Sequence, residues 1–128
     1  MTILLDTHLL LWALYEPRHL PDGALDELGD PETDVWFSAV NVWEIAIKTS
    51  LGRPEFTVDP IEARKAALDI GFVELAVDGI AAAAVRALPP IHGDPFDRLL
   101  VAQALTTGHT LVTHDDVLGR YPGPIQVV

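Results

Sequence analysis

Short apolar runs separated by helix-like stretches constrain the fold of this chain more than any other feature. The runs lie at residues 2–5, 34–38, 72–77, 110–113 and 125–128. They are mostly apolar and lack the polar alternation of a half-exposed strand, a pattern typical of parallel strands covered by helices on both faces. The sequence therefore predicts an α/β protein, a three-layer α/β/α sandwich around a mostly parallel sheet of about five strands.

Helix-terminating residues divide the segments between these runs. The first predicted helix covers residues 7–14 and ends before Pro17, and the second covers about 23–29 with Asp22 as its N-cap. A third begins at Ala39 and places Val40, Trp43, Ile47 and Leu51 on one face. The remaining helix signals are the N-caps Asp59, Asp78 and Asp94, a capping box between Asp59 and Glu62, and the stop at Gly108. At 128 residues, a single domain over residues 1–128 is expected.

The composition excludes several classes of protein. No stretch reaches the roughly 18 apolar residues of a membrane helix, so no membrane association is expected. The first apolar run has no basic region before it and is interrupted by Asp6, which is unlike a signal peptide. The chain has no cysteine, which excludes disulfides and thiolate metal sites. A cytoplasmic location fits these features.

The charge restricts the partners that the surface attracts. Eight lysine and arginine residues against 19 aspartate and glutamate residues give a net charge of −11. Such a chain has no general attraction for the phosphate backbone of nucleic acids. A divalent cation, a basic partner protein or simple solubility each accounts for the acidity.

Four acidic residues stand at positions that a parallel sheet brings to one edge. Asp6 follows the first strand and Asp115 follows the fourth, while Glu44 lies in the apolar helix segment VWEIAI. Asp97 lies in the first turn of its helix, which begins at the same edge. Ligands of such sheets bind outside the carboxyl ends of the strands.

Each of these acids also has a purely structural explanation. Asp6 is a possible N-cap, and Asp97 is spaced for a capping box with Asp94. Glu44 is four residues before Lys48, as in a helical ion pair, and Asp115 with Asp116 suits a turn. One Mg²⁺ or Mn²⁺ site explains all four acids together, because hard cations take oxygen ligands and relieve the repulsion between carboxylates. A cation of this kind supports phosphodiester hydrolysis.

Four segments, LLDTHLLLW, SAVNVWEIAIK, DPFDRLLVAQAL and LVTHD, occur in an order that resembles the PIN domain. More narrowly, the chain resembles the VapC ribonuclease toxins of type II toxin–antitoxin systems over essentially its whole length. The resemblance implies a Mg²⁺- or Mn²⁺-dependent endoribonuclease whose acidic quartet falls on Asp6, Glu44, Asp97 and Asp115. It further implies RNA as substrate, a homodimer and a cognate VapB-type antitoxin that covers the site with a basic segment. The small hydroxyl residues of the family fall on Thr7, Ser38 and Thr113, as carboxylate-orienting or phosphate-contacting groups, or as caps.

Several assignments stay open at the level of sequence. Asp116 is an alternative to Asp115, and Asp94 is an N-cap or a ligand. His92 and His114 are close enough in sequence to ligate a softer metal. Arg98 and Lys48 each neighbour an acid, so that either positions a phosphate or pairs with a carboxylate. The general base and the number of metal ions are not assigned.

Three rival functions use the same fold class. A phosphatase with Asp6 as nucleophile, in the manner of the haloacid dehalogenase superfamily, wants a second aspartate at position 8, where this chain has His8. A receiver-like module needs a late lysine, and no lysine follows Lys65. A catalytically inactive interaction module with the PIN fold is the third.

Overall fold

The five expected strands form one parallel sheet. The computed structural model describes residues 1–128. The strands are β1 (Thr2–Leu5), β2 (Asp34–Ser38), β3 (Val73–Leu75), β4 (Thr110–Thr113) and β5 (Ile125–Val127), in the spatial order β3-β2-β1-β4-β5. Every neighbouring pair is parallel, and Leu4 in the central strand lies opposite Trp36 of β2 and Leu111 of β4. The predicted α/β/α sandwich is confirmed.

Six α-helices connect and cover the strands. They are α1 (Thr7–Tyr15), α2 (Asp22–Gly29), α3 (Ala39–Ser50), α4 (Pro60–Asp69), α5 (Gly79–Ala84) and α6 (Pro95–Thr107). Short 3₁₀ turns lie at Pro17–His19, Val85–Ala87 and Leu118–Arg120. None of the helices combines the length and the apolar character that spanning a membrane requires.

The sheet separates two hydrophobic cores. Leu4 and Leu111 point into the core that contains Leu100 of α6. The alternate residues of the same strands point the other way, into the core with α1, α2 and α4; its members include Ile3, Leu5, Leu9, Ala24, Ala67 and Val112. Both faces of β1 are therefore buried, which explains the lack of polar alternation in its sequence.

Most of the predicted helix caps are present. Asp59, Asp78 and Asp94 each accept hydrogen bonds from backbone N–H groups of the following turn, and Gly108 ends α6 in the left-handed conformation with φ of 82°. Two details were wrong. Pro21, not Asp22, is the N-cap of α2, because the helix already includes Asp22. The side chain of Glu62 forms no reciprocal bond with Asp59, so α4 lacks the predicted capping box.

The buried face of α3 differs from the apolar face of its sequence. Trp43, Ile47 and Leu51 are 49%, 38% and 64% exposed, whereas Glu44 and Ile45 are buried. A capping box that the sequence analysis missed holds the start of this helix. In it Ser38 Oγ accepts from Val40 N–H, and Asn41 Oδ1 accepts from Ser38 N–H. The helix thereby turns a polar, functional side toward the sheet edge and leaves part of its apolar side to solvent.

Candidate active site

The carboxyl edge of the sheet has a topological switch point beside β1. From β1 the chain runs outward on one side to β2 and β3, then returns to place β4 on the other side. Asp6 directly follows β1, and Asp115 lies two residues beyond the end of β4. Ligands of open α/β sheets bind at such points, so the fold places both acids where a ligand site is expected.

A cavity of about 230 Å³ at this edge has no hydrophobic residue in its wall. We call it the acid pocket. Its nine lining residues are Asp6, Thr7, His8, Glu44, Lys48, His92, Asp94, Asp97 and Asp115. The structure thus brings together all four acids of the predicted quartet and adds Asp94 as a fifth.

Asp6 is both a helix cap and a member of the acid pocket. Its Oδ1 accepts the N–H of Leu9 at 2.8 Å, while Oδ2 accepts the Thr113 hydroxyl at 2.6 Å and the His114 N–H at 3.2 Å. The residue is only 6% exposed, and this burial raises the pKa of its carboxyl despite the three hydrogen bonds. The bond from Thr113 fits the predicted orienting role for that hydroxyl.

Glu44 is held at both of its carboxylate oxygens. The Thr7 hydroxyl donates to Oε1 at 2.6 Å, and the Lys48 ammonium donates to Oε2 at 2.5 Å. Asn41 in turn donates to Thr7 Oγ1 at 2.9 Å, which fixes the hydroxyl. Burial lowers the pKa of Lys48, but the hydrogen bond and the charge of Glu44 outweigh it, so that the pKa lies above its usual value. The two side chains form the i,i+4 salt bridge that the sequence offered as one explanation of Glu44.

Asp97 has an unfavourable environment for a negative charge. Burial is the main cause that raises its pKa to about 8. The negative charges of Asp94, Glu44, Asp6 and Asp115 raise it further. A carboxyl group that resists ionisation at neutral pH in the midst of other acids indicates a site suited to a cation.

His92, which the sequence offered as a ligand for a softer metal, lies in the acid pocket. Its Nε2 lies 3.2 Å from Asp115 Oδ2 and 3.7 Å from Asp97 Oδ2, and its Nδ1 accepts the Asp94 N–H at 3.0 Å. Potential ligand atoms of His92, Asp97 and Asp115 all lie within 4.8 Å of one another, a group that does not include Asp6 or Glu44. The only signal in the sequence was the position of His92, two residues before Asp94 in HGDPFD.

The residues present fit a hard divalent cation. The acid pocket offers mainly carboxylate oxygens, the ligands that Mg²⁺ and Mn²⁺ prefer. Burial and the four neighbouring acids both raise the pKa of Asp97, so a negative charge there lacks a compensating positive group. A divalent cation would supply the missing positive charge.

The two uncertain acids of the sequence analysis have distinct places. Asp94 acts as N-cap of α6 through Oδ1, while its Oδ2 lies 3.6 Å from Lys48 Nζ in the acid pocket. Asp115 lines the acid pocket, whereas Asp116 is exposed in a neighbouring, more open cleft of about 480 Å³. Of the adjacent pair, Asp115 is therefore the candidate ligand.

Two predicted substrate-positioning residues point elsewhere. The Arg98 guanidinium donates to the carbonyls of Val85, Leu88 and Pro89 and to the Tyr121 hydroxyl, and so it holds the loop before α6. Ser38 is fully buried and its hydroxyl donates to Gln103 Oε1 while it caps α3. Neither residue lines the acid pocket, so the structure does not place either side chain where it would contact a substrate there. Thr7 does line it.

Residues 3–124 match the family model described as the PIN domain. This chain belongs to the PIN domain family. Within that family it is 30% identical to Ribonuclease VapC22 of Mycobacterium tuberculosis over 129 residues, 98% of each chain.

Solved PIN-fold complexes superpose on nearly the whole chain. One is VapBC2 from Rickettsia felis bound to a DNA fragment from their promoter, with a TM-score of 0.70, 15% identity and coverage of 100% of this chain and 99% of that one. Another is DNA-bound VapBC from Salmonella typhimurium, with a TM-score of 0.67, 17% identity and coverage of 99% and 98%. At these identities the match establishes the fold alone.

Proposed function

We propose that this PIN protein is a Mg²⁺-dependent endoribonuclease, a hydrolase of RNA phosphodiester bonds that acts as the toxin of a toxin–antitoxin pair. The observation that carries the proposal is the convergence of five carboxylates in one polar pocket, with the pKa of Asp97 raised to about 8. The similarity to a ribonuclease over 98% of both chains supports the choice of substrate class.

The proposed metal ligands are Asp6, Asp97 and Asp115, with Glu44 completing the site directly or through water. When bound, Mg²⁺, or Mn²⁺ in its place, neutralises charge on the phosphodiester and favours ionisation of the attacking water. The chain's own hydrogen bonds set the geometry beforehand. Thr113 donates to Asp6, and Thr7 donates to Glu44, so each hydroxyl fixes the orientation of one carboxylate.

A cleft beside the acid pocket suits the proposed VapB-type antitoxin. The cleft measures about 330 Å³ and shares His8 with the acid pocket. Its wall combines the rings of Trp12 and Tyr15 with the acids Glu16 and Glu55. Apolar and acidic groups together complement a basic amphipathic segment, and such a segment would reach the acid pocket and block it.

We also propose a homodimer and a cytoplasmic location. The exposed side chains of Trp43 and Ile47 on α3 and of Leu51 just after it support the first, because a second copy would cover this apolar surface. The second follows from the proposed target, since cellular RNA is the substrate of a toxin of this kind.

The test is cleavage of total RNA by the antitoxin-free protein with Mg²⁺, with Mn²⁺ and with EDTA. We expect discrete fragments that require the metal. Asp97→Asn, purified in parallel, should reduce cleavage at least about 100-fold because it removes a proposed ligand. Asp116→Asn is the matched control at an exposed neighbouring acid and should cleave like the wild type.

Two results would contradict the proposal. Cleavage that persists in Asp97→Asn would come from a contaminating nuclease or a different site. Absence of cleavage under every condition, in a folded protein that binds Mn²⁺, would favour the inactive interaction module instead.

A further inference from the structure

Lys48 is the one lysine of the acid pocket. The sequence has only one other lysine, Lys65, which forms an exposed pair with Asp69 on α4. The Lys48 side chain is 17% exposed, against 75% for Lys65. The chain has thus placed a permanent positive charge among five carboxylates, at the edge of the sheet where the proposed nuclease holds its substrate.

The ammonium of Lys48 is fixed from several directions. Its Nζ lies 2.5 Å from Glu44 Oε2 and 3.6 Å from Asp94 Oδ2. The same atom lies 5.1 Å from the ring centroid of Phe56 and 5.6 Å from that of Phe96, both within the range of cation–π attraction. A long, flexible side chain thereby holds its charge at a defined point on the pocket wall.

The hydrogen bond to Glu44 uses only one of the N–H donors of the Lys48 ammonium. An ammonium has three N–H donors, and Glu44 is the only group in the protein that accepts a hydrogen bond from Lys48. Asp94 is at ion-pair distance, beyond hydrogen-bond range. The remaining donors lie at the wall of the polar cavity, where an incoming acceptor can reach them.

We propose that Lys48 is a substrate-contacting residue whose ammonium donates to a non-bridging oxygen of an RNA phosphodiester in the acid pocket. The inference rests on the proposed function and adds a contact to it. A protein of net charge −11 repels a polyanion, so a fixed cation beside the carboxylates gives the phosphate a local attraction. Glu44 then acts as the positioning residue that aims Lys48.

The test is the salt dependence of RNA binding, which reports the number of phosphates that a protein neutralises. The probe is a fluorescein-labelled, 20-nucleotide single-stranded RNA of mixed sequence. Binding is followed by fluorescence anisotropy in Ca²⁺, whose flexible coordination suits binding over hydrolysis, across a series of salt concentrations. For single strands, each neutralised phosphate contributes about 0.7 to the slope of log K against log salt.

We expect Lys48→Met to lower that slope by about 0.7 and to weaken binding about tenfold at low salt. Lys48→Gln should do the same while keeping a hydrogen-bond donor for Glu44, which protects the fold if Lys48→Met is unstable. Lys48→Arg should retain the slope because it retains the charge. Lys65→Met, the matched control, should behave like the wild type.

An unchanged slope in Lys48→Met and Lys48→Gln would overturn the inference and reduce Lys48 to a counter-ion for Glu44. RNA cleavage by the wild type shows whether the Lys48 contact alone fails or the proposed ribonuclease function fails as well. If the wild type cleaves RNA while the variants keep their slope, only the inference fails. If the wild type neither binds nor cleaves RNA, the proposed function fails and this contact fails with it.

Discussion

Individual carboxylates in this protein perform two tasks at once. The sequence posed helix cap and ligand as competing explanations for Asp6 and Asp94. In the structure each caps a helix through one oxygen and also lines the acid pocket. The two explanations are compatible because an ionised carboxylate has two oxygens and about four acceptor positions. Spacing predicted the caps correctly, but it could not show that the second oxygen faces a cavity.

His92 and Lys48 are residues whose side-chain directions the sequence could not predict. Each lies next to known acids in the sequence, yet nothing in the local pattern gives the direction of its side chain. His92 accepts the Asp94 N–H at its Nδ1 and lies beside Asp115, while the ammonium of Lys48 lies over the rings of Phe56 and Phe96. The contacts with Asp115 and Phe96 arise from tertiary packing, and no local pattern in the sequence predicts them.

We predict that Asp97→Asn stabilises the metal-free protein at pH 8. Ionised Asp97 is penalised in the folded state by burial and by four neighbouring acids, and asparagine carries no charge. The free energy of unfolding should rise by about 1–3 kcal/mol, measured by urea denaturation in EDTA. Asp116→Asn should change it by less than about 0.5 kcal/mol, as expected for an exposed site. A lower stability of Asp97→Asn would mean that Asp97 is not strained by its neighbours.

At the scale of the elements, the ends of the helices were easier to predict from the sequence than the faces that the helices bury. The ends of α1, α4 and α6 follow from Pro17, Pro60 and Gly108. For α3, periodicity showed which residues share a face but did not predict which face the sheet covers, and Trp43 and Ile47 are exposed. The buried Glu44 takes a place that an apolar residue would otherwise occupy, since its partners Thr7 and Lys48 satisfy its charge.

The C-cap of α6 provides a test of backbone strain at this scale. Gly108 has φ of 82°, and a Cβ added there would meet no atom within 4 Å. Gly108→Ala should therefore cost only the left-handed backbone strain, about 1 kcal/mol, or a fall of roughly 3–5 °C in Tm. Gly79→Ala, in the first position of α5 with equally open surroundings, should be neutral or stabilising. Scanning calorimetry of both variants compares them, and equal Tm values would exclude the strain argument.

For the whole molecule, we predict that the effect of Mg²⁺ on the Tm depends on pH. Folding raises the pKa of the Asp97 carboxyl from 3.8 to about 8. The protonated carboxyl therefore favours the folded state. Its contribution to the free energy of unfolding is complete below pH 3.8 and is lost as the pH rises through about 8. The Tm in EDTA should accordingly fall between pH 6 and pH 9. Mg²⁺ should raise the Tm more at pH 9 than at pH 6, because it binds the ionised form. A Mg²⁺ effect that is independent of pH would contradict this coupling.

The fold class of the whole molecule followed from its sequence because the strand segments are apolar and helix caps and stop signals separate them. Only β1 and β4, at the middle of the sheet, are buried over most of their length. Strand order was the part that local patterns did not contain. The order β3-β2-β1-β4-β5 joins distant segments, and it alone decides that Asp6 and Asp115 are neighbours. The acids were nevertheless predicted as one set, since parallel strands all end at one edge whatever their order.

The bond from Thr113 to Asp6 joins residues 107 positions apart, and it forms where β4 pairs with β1. During synthesis, a ribosome has therefore released the first aspartate long before it makes the strand that completes the pocket. A partly made chain therefore lacks the assembled acid pocket, and the proposed ribonuclease gains its site only when β4 has paired with β1.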